Sequence, residues 1–194
     1  MTPSGLSILL RFWVGTAGSI VAGLLAFGLL IFDPSRPTVQ CITVGLLVSG
    51  VLTTVRLGAY PAALGLVAVF SLVRLGTANT VGWGYAVHSA FAALLLGLGV
   101  ILIAIVYDAL ARNGLRFGKF FLVGPLLSLL LVGLAPLAHF HTMDFADPTS
   151  TWMLDAYLGL LIGDGAGFGV ELVEYLTTPA ASPDTPPPAS REAA

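Results

Sequence analysis

The sequence predicts an all-α membrane protein, a polytopic bundle of about six transmembrane helices followed by a disordered tail. Three observations predict it. Hydrophobic residues make up 57% of the 194 positions and charged residues only 9%, against about 25% charged in a soluble domain. Mean hydropathy is +0.96. Several apolar stretches approach or exceed the roughly 20 residues that a helix needs to cross the hydrocarbon core. They run continuously, where the strands of a transmembrane barrel would alternate.

The first segment, 12–32, closes at Asp33-Pro34-Ser35-Arg36-Pro37, a run of helix breakers. The second and third, 39–55 and 57–73, stand at the short end of what can span, and Pro61 lies near the start of the third. A re-entrant pair is the alternative for these two. The fourth covers 81–107, the fifth 120–138, and the sixth, the most polar, 152–176. The helical domain thus extends to 178. The tail, 179–194, holds five prolines among small polar residues and buries too little to fold.

Positive residues orient the bundle. With the N-terminus in the cytoplasm, the inner side receives Arg11, Arg56, Arg112, Arg116, Lys119 and Arg191, and the outer side only Arg36 and Arg74. This positive-inside bias puts both termini in the cytoplasm and the protein in the plasma (inner) membrane. The first apolar run is longer than a signal-peptide core and reads as a signal anchor. The lone Cys41 reads as a small buried apolar residue. No basic face with interleaved aromatics appears, so nucleic acid is not an expected partner. The expected partners are the lipid bilayer and, through small-residue faces, other membrane subunits or a second copy. Those faces are Gly15-Thr16-Ala17-Gly18, Ala22-x-x-x-Ala26 and Gly159-x-x-x-Gly163-x-x-x-Gly167.

Asp164 carries the functional signal. It falls near the middle of the sixth segment, with Gly163 and Gly165 on either side. A carboxylate at bilayer depth costs a few kcal/mol or more, so it needs a partner, a proton or a task. Asp164 and Glu171 are two turns apart and share a helix face, and Glu174 follows at the next turn. The three suit an ion or proton path. An ion pair to Arg56 or Arg74 is the competing role. His88, inside the fourth segment, is expected to hydrogen-bond within the bundle rather than to ligate haem.

The loop after the fifth segment offers His139, His141, Asp144 and Asp147, the ligand types of a divalent metal, which is the one cofactor the sequence suggests. The spacing matches no established metal motif, and a polar turn capping the sixth helix explains the same residues. Apart from that loop nothing points to catalysis. The leading reading is a small transport or ion-conducting protein. The alternative is a non-catalytic subunit that assembles or anchors a larger complex, and a membrane metalloprotein trails both.

Overall fold

Long apolar runs favour helix, and glycine and proline decide where each helix stops. A computed structural model of the chain describes residues 5–30, 35–76, 79, 82–115, 117–138 and 148–177. Among these residues the regular elements are six helices and no strand. They are α1 (Gly5–Leu30), α2 (Ser35–Arg56), α3 (Tyr60–Leu75), α4 (Trp83–Arg112), α5 (Phe120–Ala138) and α6 (Pro148–Thr177). The tail and the loop carrying His139, His141, Asp144 and Asp147 lie outside the described residues.

Each predicted segment overlaps one helix, but several ends differ, and two of the differences share a cause. Helix α1 starts at Gly5 rather than 12, and α4 runs on to Arg112 rather than stopping at 107. Arg11 and Asp108 look like terminating charges in the sequence. Both are buried and paired within the bundle, so the helices pass through them. Helix α2 includes Pro37 and α3 includes Pro61, each in a first turn where the missing N–H has no helical partner to lose.

Two helix ends are built alike. After α2 the chain turns at Gly58, whose φ of 73° is the left-handed region that favours glycine. The Gly58 N–H bonds the Val55 carbonyl at 2.9 Å and the Ala59 N–H bonds that of Thr54 at 2.8 Å, a Schellman closure. After α4 the same pattern recurs at Gly114, φ 91°, with Gly114 bonding Ala111 and Leu115 bonding Leu110. Both closures leave an arginine, Arg56 or Arg112, in the last helical turn, where a cation complements the exposed carbonyls.

Helix α2 is the centre of the bundle: α1, α3, α4 and α6 all pack on it. Around it the neighbours run α1, α6, α5, α4, α3. Its second half is buried nearly all round, with Val48, Val51, Leu52 and Val55 at 1% exposure or less. Its buried hydroxyls, Ser49 and Thr53, are satisfied by carbonyls of the helix itself, which lets it sit at such a centre.

The outer surface of the bundle is apolar where that of a soluble protein would be polar, and several charged and polar side chains join the apolar core inside. Outward positions carry Trp13, Leu25, Leu72, Phe91, Leu102, Phe121 and Leu129, all more than half exposed. Inside lie Arg11, Thr16, Ser19, Ser49, Asp108, Lys119 and Glu171. Water would favour the opposite sorting, whereas lipid favours this one. Three helical stretches, Gly5–Leu25, Trp83–Arg112 and Asp155–Thr177, are long and apolar enough to cross a membrane; Cys41–Arg56, Tyr60–Leu75 and Phe120–Leu134 are apolar and shorter. The protein is therefore a helical, membrane-associated bundle.

Candidate functional site

Helix α6 is held between α1 and α5 by its glycines, which divide into two faces. Gly159 and Gly163 meet α5: a Cβ on Gly163 would stand 2.6 Å from the Gly124 Cα, and one on Gly159 would stand 2.5 Å from the Ser128 Cα. Gly165 and Gly169 meet α1, where a Cβ on Gly169 would stand 2.7 Å from the Gly15 Cα. Such backbone-to-backbone approach is open only to glycine. The two glycine runs singled out in the sequence, on α1 and α6, thus pack against helices of the same chain. The approach also sets where the polar side chains of α6 end up.

Asp164 lies on the α5 side. One carboxylate oxygen accepts the backbone N–H of Gly124 at 3.1 Å. The residues four before and four after it on the helix, Leu160 and Phe168, are 36% and 40% exposed. Across the seam on α5, Phe121 is exposed as well. Asp164 itself is half-buried. It therefore lines the outer seam between α5 and α6, among side chains turned to the apolar surroundings. Among the described residues no cation lies within ion-pair distance of it.

Seven residues along the same face, about 10 Å at 1.5 Å per residue, Glu171 is fully buried. It accepts the backbone N–H groups of Lys119 at 3.3 Å and Phe120 at 3.1 Å, and so caps the first turn of α5 from a neighbouring helix. The Lys119 ammonium pairs with it at 2.9 Å. Glu174, one turn on, takes Arg56 at 2.8 Å and Arg11 at 3.4 Å, with Lys119 at 3.8 Å. Arg56 also reaches Asp108 at 2.8 Å, and Asp108 is held a second time by Arg112 at 2.7 Å. One network of four cations and three carboxylates thus ties α1, α2, α4, α5 and α6 together at one end of the bundle.

Tyr107 lies within that network, its ring 5.3 Å from the Lys119 ammonium, a distance suited to a cation–π contact. Its hydroxyl and the Arg11 Nε are buried without a hydrogen-bond partner among the described residues. Above the network, hydroxyls join α1 to α2: Thr16 and Ser49 bond at 3.0 Å, and Ser19 donates to the Cys41 carbonyl at 3.1 Å.

The structure thus separates three residues that the sequence groups as one stripe. Glu171 and Glu174 are enclosed by cations, while Asp164 stands alone at the seam. The anticipated ion pair with Arg56 forms, but at Glu174; Arg74 is on the opposite end of the bundle, over the Phe70 ring at 5.6 Å. His88 is exposed and bonds the Gly84 carbonyl of its own helix at 2.7 Å. Among the described residues no group of three metal-ligating side chains occurs. Asp108, Lys119, Tyr107 and Gly124 belong to the site without having been named as site residues from the sequence. The nearest signal for Arg11, Arg56, Arg112 and Lys119 is the positive-inside count, which collects them on one side.

Comparison with known protein families, characterised proteins and solved structures found no match.

Proposed function

We propose that this chain crosses the plasma (inner) membrane six times, with both termini in the cytoplasm, and that it transports or conducts an ion or small solute through a step that depends on Asp164. The alternation of helix ends supports the crossings. The start of α1, the ends of α2, α4 and α6 and the start of α5 all meet in the ionic network, while Arg74, at the end of α3, is on the other side. One observation carries the functional reading. Asp164 is a carboxylate near the middle of an apolar helix with no cation in reach among the described residues, whereas Asp108, Glu171 and Glu174 are each paired. A charge so placed is costly unless something neutralises it, and an ion that the protein exchanges would do so. In this reading Asp164 takes up the ion, and Glu171 and Glu174 hold the inner end closed through their arginines and lysine.

The test is Asp164→Asn, which preserves shape and removes charge. No arginine is stranded by the change, so the variant is expected to insert, purify and melt like the parent while flux into proteoliposomes is lost. A variant that collapses in detergent would show a structural role, and a stable variant with undiminished flux would end the transport reading.

The outward setting of Asp164 favours a second reading, a non-catalytic subunit whose acid meets a donor from a partner helix. In that case Asp164→Asn would lose a co-purifying membrane protein under mild detergent, with no flux to lose.

A further inference from the structure

We propose that Asp164 is a proton-binding site, reached from the lipid acyl region through the seam between α5 and α6; this rests on the transport reading above and names its ion. The alternative occupant is a metal cation, and the surroundings of Asp164 do not suit one. Sodium, calcium and magnesium require shells of several oxygen ligands. Around Asp164 the seam is made of Gly163, Gly124, Leu160 and Phe168, which bring no second carboxylate or hydroxyl. Among the described residues the polar group that bonds the acid is the Gly124 N–H, a donor, which repels a metal ion and can still bond the carbonyl oxygen of the un-ionised acid.

The charged groups described on the helices packed against α6 are already engaged. Arg11 on α1, Arg56 on α2 and Lys119 at the start of α5 all bind Glu171 or Glu174, about two to three turns away. Ser128, the hydroxyl on α5 one turn beyond Gly124, donates to the Ala156 carbonyl at 2.7 Å. A single proton needs no ligand shell and cancels the charge in place. It is the one ion that this setting holds.

Chemistry distinguishes such an acid from a carboxylate that is ion-paired or in water. A carbodiimide reacts with the un-ionised acid: the carboxyl proton passes to a carbodiimide nitrogen while the carboxyl oxygen bonds the central carbon. Where water is excluded, the acyl group then migrates to nitrogen and leaves a stable acylurea. A hydrophobic carbodiimide arrives through lipid, where the exposed Leu160 and Phe168 mark the approach.

The full chain in proteoliposomes is treated at neutral pH with dicyclohexylcarbodiimide, and in parallel with a water-soluble carbodiimide, and the adducts are mapped by mass spectrometry. The expected result is one adduct at Asp164 with the hydrophobic reagent and none there with the soluble one. Asp164→Asn loses the adduct and Asp164→Glu keeps it. Excess sodium, potassium, magnesium or calcium leaves the rate unchanged, and raising the pH slows it. No adduct at Asp164, protection by any of those metals, or equal labelling by both reagents would overturn the inference. Flux measured on the same samples separates the two claims. Flux that depends on Asp164 without an adduct keeps transport and removes the proton. An adduct with unaltered flux keeps the proton site and removes transport.

Discussion

Glu174 meets more cations than any other described carboxylate. It faces Arg11, Arg56 and Lys119 at once, and its side chain is 11% exposed. Removing one partner of a buried ion pair leaves the other uncompensated, which typically costs about 3–5 kcal/mol. Glu174→Gln is therefore expected to lower the melting temperature in detergent sharply, with three cations left to Asp108 and Glu171 alone. Arg112→Ala provides the contrast. Its guanidinium is 66% exposed, and pairs of that kind contribute about 0–1 kcal/mol. Equal losses in the two variants would show that water reaches the whole network and that it is not a buried one. At this scale the acids were legible in the sequence as anomalies within apolar helices. Which acid would be compensated was not. Spacing along one helix shows that Asp164, Glu171 and Glu174 share a face, but not that the face changes neighbours, from Gly124 to Lys119, within two turns.

At the scale of the element, glycine has opposite effects at two kinds of position. Gly163 faces backbone, so a methyl there must push α5 away; overpacking of this kind costs about 1–3 kcal/mol. Gly133, on α5, has open space where its Cβ would be, and alanine is favoured over glycine in a helix interior by about 1 kcal/mol. Gly163→Ala is expected to destabilise the bundle and Gly133→Ala to leave it unchanged or firmer, as read by thermal melting of the purified protein. Should both melt like the parent, α6 is not held in place by its glycine contacts. The small-residue runs were visible in the sequence as packing surfaces. Whether they would meet a helix of the same chain or of another was beyond it, because glycine records close approach and not the identity of what approaches.

For the whole molecule, the prediction concerns sidedness. If the ionic end faces the cytoplasm, residue 142, which follows the end of α5 on the opposite side, faces outward. With Cys41 replaced, Thr142→Cys should react with an impermeant thiol reagent on intact cells. Reaction only in inverted vesicles would reverse the orientation, and every assignment of inner and outer with it. The same scale shows how far sequence alone reaches. Composition by itself determined the solvent: a chain with 57% hydrophobic and 9% charged residues has too little polar surface for water. Continuous apolar runs determined helices, because in lipid each backbone must satisfy its own hydrogen bonds. Both are local properties, readable within a window of residues. The tertiary structure alone decided which charges are paired and which acid is left over. Arg11 finds Glu174 163 positions away and Arg56 finds it 118 positions away. Those meetings depend on the order in which the helices pack around α2, which the glycines of α6 allow but do not spell out.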